Sequence, residues 1–567
     1  MVLGIGIVDW IAIVIYLVLT IAAGIYTANK VKDTTDFFMG GHNFGKAFMI
    51  FFAFGAGTSG NDAVGVSSKT VTNGLSGIWY QWLWLFCTPF YWLIAPIMRR
   101  MRSLTTGDYF ETRYDGGVAG LYTLVGVMQL TINIGVVQLG AGSMIEGITN
   151  DAIPRNWAII GMTVLFVSYG IAGGLAAAII TDFIQGILTV ILSFILIIPA
   201  LNAVGGFAGL HEGIEDEAMF SLVAPGEING FFIAMMCLVA LVGIVTQPHI
   251  MGVCAAGRTE MDGRVGFATG NLIKRLCTIA WMVVGLCGIV MYLGQDVAPD
   301  KIYGRVAADL LPGIMPGLIG LFLAALIASV MSSCDAFMIS SSGLFTQNFY
   351  RRWIASDKSE GHYVWVGRIA AFVIVAGALV FAFSVENVPQ GLVLFFKLQG
   401  LMGAAFWLGL FWRRMTVAGA WAATLAGFAV LLSTTLISGF DEWAVANLPE
   451  MMTLDGKFRD SWQIFFMLLS GFGLGIIVSL FTKRVPEEQL DKVYECLRTP
   501  VMEGEPHTSE PFMIPEGIEI PEPRKLINHP DLEIPMPTKL GMTGFAVLWV
   551  CVGLLVGFVF WMATWGA

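Results

Sequence analysis

Two long apolar stretches of this chain are each interrupted by residues that break a helix. The stretch 46–71 contains the sequence GAGTSG at 55–60, and the stretch 231–256 contains Gln247, Pro248 and His249. A helix that unwinds inside a lipid bilayer leaves backbone N–H and C=O groups without partners, and lipid supplies none. We therefore expect each break to face a cavity in which ions or solutes replace the missing partners. This pattern is typical of transporters.

The composition places most of the chain in a membrane. Of its 567 residues, 56% are hydrophobic and only 13% are charged, far from the balance of soluble domains. Apolar runs of about 20 residues recur along the chain, and we count about fourteen. The first run, 5–28, lacks the basic start and cleavage site of a signal peptide and is predicted to be a true span. The sequence thus predicts an all-α polytopic membrane protein.

The predicted spans follow a repeated order. The leading helix at 5–28 is followed by a set of five spans at 46–201 and by a second set of five at 229–412. The first span of each set is a broken helix. An odd number of spans in each set inverts the second set relative to the first, which is the layout of inverted-repeat transporters. The remaining segments are two accessory helices, a Pro- and Glu-rich cytoplasmic connection and a last helix, at 416–482, 483–540 and 541–566. We predict that the connection is an extended linker with little core of its own.

Lys and Arg are concentrated in alternate loops of this arrangement. Examples are Arg99 and Arg100, Arg351 and Arg352, and the connection at 483–540, whereas the opposite loops hold few basic residues. The positive-inside rule makes the basic loops cytoplasmic. The protein is then predicted to lie in the plasma (inner) membrane with both termini on the outer, non-cytoplasmic side.

The chain carries none of the short motifs that mark the common enzyme classes. The sequence has no Gly-rich phosphate loop, HExxH or GxSxG element at a membrane edge, and its eight cysteines lack CxxC or Cys/His spacing. Such spacings would mark a phosphate, metal or nucleophile site. We therefore predict that the protein is not an enzyme and uses no cofactor.

Several motifs, in the order in which they occur, resemble those of the sodium:solute symporter family. They are DW at 9–10, TTDFF at 34–38, TTGDYFETRY at 105–114, TDFIQ at 181–185, QPHI at 247–250, MSSCD at 331–335 and LFWRR at 410–414. The resemblance runs from the first span to about residue 425. It implies a 5+5 inverted-repeat LeuT-like core of ten helices, with one leading and three trailing helices, and solute uptake driven by a sodium gradient.

Three serines share one face of the predicted helix that begins near residue 317. Ser329, Ser332 and Ser333 stand at i, i+3 and i+4. Sodium needs several hard oxygen ligands, and hydroxyls together with carbonyls freed at a break supply them without burying a fixed charge. Alternatively, the hydroxyls bond to their own helix or join neighbouring helices. The resemblance implies a sodium site formed by the Ser332 and Ser333 hydroxyls and by the carbonyls of Ser329, Ala56 and Ser59.

Asp182 lies inside an apolar run, where a lone carboxylate is costly unless it pairs with a cation or is protonated. The resemblance implies that, in some family members, this aspartate belongs to a second sodium site completed by hydroxyls beyond the serine pair. Asp335 and Ala336 stand at those positions here. We predict a second cation or proton site that contains Asp182 and Asp335, with a structural hydrogen-bonding role as the alternative for Asp335.

The resemblance places the solute between the two breaks. Polar candidates there are Asn61, Asp62, Asn133, Gln138, Gln247 and His249. His249 is equally consistent with capping its broken helix. The motif QPHI is similar to the proline-symporter branch, but Ala240 and Ile244 replace the aromatic residues that precede it there. The identity of the solute is therefore left open.

Lys397 is the least typical residue of the predicted spans. It lies about nine residues into its span, roughly 13 Å deep at 1.5 Å per residue, where snorkelling to the surface is strained. Three interpretations follow: Lys397 pairs with Asp62 or another acid, it offers a positive charge to an anionic solute such as a carboxylate, or its ammonium replaces a coupling cation.

The sequence as a whole predicts a sodium-coupled secondary active symporter of a small polar organic solute that works by alternating access. Its partners would be the solute, Na⁺ as the coupling ion and the lipid bilayer, with no nucleic acid. The alternatives are a proton-coupled carrier of a small anion and a transport-inactive membrane sensor of the same fold.

Overall fold

The computed structural model describes residues 5–28, 44–224, 226–505 and 510–567. The motif TTDFF at 34–38 lies outside the described residues. Between residues 5 and 224 the helices are Ile7–Ala28, Lys46–Gly55, Gly60–Asn73, Trp79–Trp82, Thr88–Arg100, Thr106–Arg113, Gly116–Ile148, Arg155–Ile195, Ile197–Val204 and Gly206–Gly213.

The later part of the chain continues this helical pattern. Between residues 226 and 412 the helices are Gly230–Ile244, Pro248–Ala255, Glu260–Met291, Ile302–Ile314, Leu318–Leu344, Arg351–Trp353, Glu360–Ser384, Val388–Gly400 and Gly403–Phe411. The last helices are Val417–Leu436, Phe440–Asn447, Asp460–Phe481, Glu487–Arg498 and Lys539–Met562. Two short strands, Thr453–Leu454 and Lys457–Phe458, pair antiparallel.

Many of these helices are able to cross a bilayer. Within the described ranges, nine are long and apolar enough, and a tenth candidate is the pair Gly230–Ile244 and Pro248–Ala255, bent by 68°. Shorter apolar helices cover Ile7–Leu19, Lys46–Gly55 and Arg155–Val167. The multi-pass helical class is therefore confirmed, whereas the count of about fourteen spans and the inverted-repeat layout stay predictions.

The helix Glu260–Met291, called the cation helix below, packs closely against Lys46–Gly55. Gly266 and Gly270 make the approach possible. A Cβ atom on Gly266 would lie 2.6 Å from the Met49 Cβ, and one on Gly270 would lie 2.4 Å from the Ile50 carbonyl oxygen. Small residues let membrane helices meet backbone to backbone in this way. Because residues four apart share a helical face, the next residue on this face is Lys274.

The connection 483–540 is more structured than the sequence analysis predicted. The helix Glu487–Arg498 buries Leu490, Val493 and Tyr494, which stand at i, i+3 and i+4 and form one apolar face. The Tyr494 hydroxyl donates to the Gly409 carbonyl at 2.7 Å. The prediction of an extended linker with little core is therefore wrong for this helix.

A further contact holds the same connection against the body of the protein. Arg102 and Glu505 form an ion pair at 2.5 Å, and only 4% of each side chain is exposed. Further along, the Phe512 N–H donates to the Met101 carbonyl at 3.1 Å. The connection is thus docked at the Met101–Arg102 turn through both side chain and backbone.

Arg113 fastens the end of the helix Gly403–Phe411. The last carbonyls of a helix have no partner within the helix. Arg113, which is fully buried, donates from Nε to the Gly409 carbonyl at 2.9 Å and from Nη2 to the Trp412 and Met415 carbonyls at 3.0 and 3.3 Å. One guanidinium therefore donates to carbonyls at and just beyond the end of this helix, and it shares the Gly409 carbonyl with the Tyr494 hydroxyl.

We expect Arg113→Lys to lower the free energy of unfolding by roughly 3 kcal/mol, because an ammonium cannot reproduce the guanidinium fork and buried carbonyls lose charged donors. The thermal unfolding midpoint in detergent measures this loss. Arg368→Lys, at an exposed position, is the matched control and should leave the midpoint unchanged. Equal midpoints for the two variants would contradict the capping role.

Candidate functional site

The first break comprises residues 56–59, between the helices Lys46–Gly55 and Gly60–Asn73. Ser59 has an extended backbone, with φ −145° and ψ 178°, so the helix cannot continue through it. The second helix begins with a capping box in which the Ser59 N–H donates to Asp62 Oδ2 at 3.0 Å. The break therefore leaves carbonyls without their regular α-helical partners on its N-terminal side and orients Asp62 on its C-terminal side.

The helix Leu318–Leu344, called the serine helix below, supplies hydroxyls to the freed carbonyls. Ser329 Oγ donates to the Thr58 carbonyl at 3.0 Å, and Ser333 Oγ donates to the Gly55 carbonyl at 3.0 Å. Ser333 Oγ also lies 3.4 Å from the Thr58 carbonyl. These hydroxyls therefore reach across to the broken helix and do not bond back to their own.

The carbonyls that the serines contact differ from those that the family resemblance implies. Gly55 and Thr58 each lie one residue before Ala56 and Ser59. Ala56 and Ser59 instead line the cavity between the two breaks. The full sodium ligand set, with Ser329, Ser332 and Ser333, stays a prediction, although the structure brings its members to one place.

Asp182 lies against the start of the first break. A Cβ atom on Gly55 would be 3.2 Å from the Asp182 Cβ and Cγ, and the carboxylate is completely buried. The Ser332 hydroxyl lies near the Asp182 carboxylate, but no hydrogen bond of ordinary geometry joins the two side chains. Neither carboxylate oxygen has a partner among the described residues. The same holds, over that part of the chain, for the Ser332 hydroxyl and for the amide of Gln185 one turn further along.

This arrangement has the chemistry of a cation site. Buried polar atoms almost always have partners, so a carboxylate, a hydroxyl and an amide without them call for an ion or water. Oxygen ligands of this kind suit a hard cation. Asp335 is buried one turn beyond Ser332 on the serine helix. Its expected sharing of a proton or cation with Asp182 stays a prediction.

A cavity of about 70 Å³ lies between the two breaks. Five of the predicted solute residues line it, namely Asn61, Asp62, Asn133, Gln247 and His249. Asn61 accepts a hydrogen bond from the Ser59 hydroxyl, and Gln247 donates to Gln399 Oε1 at 2.6 Å. The structure therefore brings together polar residues from both broken helices and from Gly116–Ile148.

His249 contacts the cavity and does not cap its helix. The helix Pro248–Ala255 has Gln247 as its N-cap residue. The His249 ring packs edge-to-face on Phe337, with the ring centroids 4.8 Å apart. Of the two interpretations of His249, the structure favours contact with the cavity.

Gln138 and Lys397 lie outside the lining of this cavity. Gln138 Nε2 donates to Thr163 Oγ1 at 2.8 Å and so joins two neighbouring helices. Lys397 Nζ pairs with Asp460 Oδ1 at 2.5 Å. Of the three interpretations of Lys397, the structure favours the internal pair, and the acid is Asp460 at the start of an accessory helix instead of Asp62.

The cation that pairs with Asp62 is Lys274, which the sequence analysis did not single out. Their Nζ and Oδ2 atoms are 2.9 Å apart, and 6% of each side chain is exposed. Lys274 Nζ also donates to the Gly57 carbonyl within the first break. Asp62 accepts a further hydrogen bond from Gln81 Nε2 at 2.5 Å. A fixed ion pair is thus built into the break.

Arg275 adds a second cation to the cavity lining. It is 1% exposed and donates to the Gln81 carbonyl and, at 3.3 Å, to Asn271 Oδ1. Within the described ranges its Nε–H group has no acceptor. Both cations lie over the Trp84 ring, at 5.9 Å for Lys274 and 5.8 Å for Arg275, where the ring quadrupole attracts positive charge.

Comparison with known proteins decides the family. The model of the sodium:solute symporter family matches residues 37–427. The chain belongs to the sodium:solute symporter family. This family member is 26% identical over 458 residues to the high-affinity proline transporter PutP of Bacillus subtilis (strain 168), over 76% of this chain and 90% of that protein. It is 24% identical over 471 residues to the sodium/glucose cotransporter of Vibrio parahaemolyticus, over 76% of this chain and 86% of that protein.

The structure of this family member is similar to that of a Na⁺-coupled sialic acid symporter in a substrate-bound outward-open state. The TM-score is 0.72 at 17% identity, over 85% of this chain and 99% of that chain. This likeness shows a LeuT-like fold. The protein is therefore a multi-pass membrane transporter of the sodium:solute symporter family and not an enzyme.

We expect Lys274→Met to cost roughly 3 to 5 kcal/mol of unfolding free energy, because it leaves the buried Asp62 carboxylate without its cation. Adding Asp62→Asn should recover part of this loss, since the orphaned charge is then removed. Denaturant unfolding of the two single variants and the double variant, analysed as a double-mutant cycle, measures the coupling.

A more exposed ion pair provides the control for this cycle. Lys69 and Glu227 are 2.6 Å apart, with 17% and 36% of their side chains exposed. Lys69→Met should cost at most about 1 kcal/mol. A cost for Lys274→Met no larger than that for Lys69→Met would show that the buried pair does not stabilise the break.

Proposed function

We propose that this protein is a sodium-coupled symporter that carries a small polar organic solute by alternating access. The observation that carries the proposal is the convergence of the Ser329 and Ser333 hydroxyls on the freed carbonyls of the first break. Hydroxyl and carbonyl oxygens are the ligands that a hard cation prefers. The named relatives, which transport proline or glucose, support a small organic solute without identifying it.

In this proposal Na⁺ binds between the first break and the serine helix. The Ser332 and Ser333 hydroxyls and the carbonyls of Ala56, Ser59 and Ser329 are its ligands. The ion bridges ligands from both elements, and it thereby holds the broken helix against the serine helix. The arrangement with the ion bound is the one that binds solute.

The same break would couple the ion to the solute. Ala56 and Ser59 line the central cavity, and Ser59 orients Asp62 through its N–H group. A shift of this short segment on sodium binding therefore changes the solute site directly. By linkage, sodium and solute then raise each other's affinity by the same factor.

The Asp182 cluster would hold a second cation or a proton, with Asp335 beside it. A buried carboxylate in a membrane helix is costly without a positive partner. We further propose that the protein lies in the plasma (inner) membrane with both termini outside, in accordance with the distribution of Lys and Arg.

The second candidate function is a proton-coupled carrier of a small anion. It is favoured by Lys274, whose ammonium already contacts the freed Gly57 carbonyl and Asp62. An amine in that position supplies a fixed positive charge at the break without a bound ion. The two candidates differ in whether sodium binds at the serine helix.

We expect NaCl, compared with equimolar choline chloride, to raise the thermal unfolding midpoint of the purified protein. A ligand that binds only the folded state stabilises it by about 2.7 kcal/mol at one hundred times its Kd. The double variant Ser332→Ala/Ser333→Ala should weaken sodium binding at least tenfold, because it removes two ligands.

The matched control lies two turns further along the same helix. Ser341 and Ser342 donate to carbonyls of their own helix, at 2.7 and 3.0 Å. Ser341→Ala/Ser342→Ala should keep the wild-type response to sodium. If sodium stabilises neither the wild type nor the control, the proposed coupling is wrong and the proton-coupled carrier takes its place.

We expect Asp182→Asn to reduce the number of sodium ions that stabilise the protein from two to one. Near saturation each bound ion adds one RT ln[Na⁺] term to the unfolding free energy, so the slope of stability against ln[Na⁺] counts the ions. Asp296→Asn, at an exposed position, is the control. A slope of one ion in both the wild type and Asp182→Asn would assign Asp182 to a proton.

A further inference from the structure

The charges that line the central cavity do not balance. Its charged side chains, among the residues that the structure describes, are Asp62, Lys274 and Arg275. Asp62 forms its ion pair with Lys274 and lies close enough to act on Arg275 as well. One carboxylate nevertheless balances only one of two cations, so the lining of the cavity carries an excess positive charge.

We propose that Arg275, assisted by Lys274, binds the carboxylate of the transported solute, so that the substrate is a small organic anion. The inference rests on the proposed function only in taking the solute to bind between the two breaks. It names a chemical class of solute and a residue that selects it.

The surroundings of Arg275 carry the first part of the argument. Its hydrogen bonds go to two neutral oxygens, the Gln81 carbonyl and Asn271 Oδ1, and these do not neutralise its charge. A buried cation without a counter-ion is costly. A guanidinium also presents paired N–H groups that match a carboxylate, and the Nε–H group has no acceptor in the described part of the chain.

The state of Asp62 carries the second part. This carboxylate already accepts from Lys274 Nζ, Gln81 Nε2 and the Ser59 N–H group. Among the lining residues that the structure describes, no other carboxylate is present to receive a solute ammonium group. The charged groups of the lining therefore match a carboxylate better than an ammonium group.

The remaining lining describes the body of the solute. Val137, Ile244 and Phe395 are among the apolar residues that face the cavity, and Trp84 covers the two cations. Such a lining suits a short chain attached to the carboxylate, and Asn61, Asn133 and Gln247 offer neutral polar groups to a substituent on that chain. A small monocarboxylate satisfies both halves of the cavity.

Arg275 also has a structural contact, which the test must separate from recognition. It donates to the Gln81 carbonyl, just before the end of the helix Trp79–Trp82. Replacing Arg275 therefore disturbs packing as well as charge. A sodium titration of each variant reports whether the fold and the sodium site survive the substitution.

The experiment compares acids with their uncharged amides, namely propionate with propionamide and lactate with lactamide, by calorimetric titration of the purified protein in NaCl. We expect each acid to bind wild type at least tenfold more tightly than its amide. Arg275→Gln should abolish this preference, and Arg275→Lys should keep part of it. Arg264→Gln is the control, because Arg264 lies on the same cation helix over the Trp92 ring and outside the cavity lining.

Several results would overturn the proposal. They are equal binding of acids and amides by the wild type, no binding of either acid, tighter binding of proline than of both acids, and an unchanged acid preference in Arg275→Gln with its sodium response intact. A preference for acids in a wild type that does not respond to sodium would support this inference while contradicting sodium coupling. The two proposals therefore fail separately.

Discussion

The structure depends on one constraint, the need of an interrupted membrane helix for partners at its free backbone groups. Residues 56–59 leave helical conformation among apolar neighbours, and lipid satisfies no carbonyl there. Two hydroxyls of the serine helix donate hydrogen bonds to these carbonyls, and Lys274 of the cation helix donates to another. The polar contacts of Ser329, Ser333 and Lys274 thus converge on these few residues.

This constraint also explains why the proposed ion site and the proposed solute site lie so close together. The break has two sides because the first half-helix ends with unpaired carbonyls and the second begins with unpaired N–H groups. Hydroxyls and freed carbonyls occupy the N-terminal side, and the N-terminal end of Gly60–Asn73 orients Asp62 through its capping box. The four residues 56–59 therefore contact both proposed sites directly, and no longer chain of contacts is needed to connect the sites.

Much of this was predictable from the sequence, and the misses have physical causes. The glycine-rich interruption, the serine spacing and the family motifs lead to the break and to its neighbours. The sequence analysis missed Lys274 because it looked for charged partners within the interrupted stretches, whereas Lys274 reaches the first break from the cation helix. The spacing of Gly266, Gly270 and Lys274 was the available signal. The Asp460 partner of Lys397 had none, since it comes from an accessory helix whose packing no local pattern specifies.

The docked connection after residue 483 has a mechanical consequence. It is fastened to the Met101–Arg102 turn by backbone and side chain and to the helix Gly403–Phe411 through Tyr494. The connection therefore links these two elements to each other. In any rocking motion of the protein we therefore expect the Met101–Arg102 turn and the helix Gly403–Phe411 to move as one unit, with the connection as the link between them.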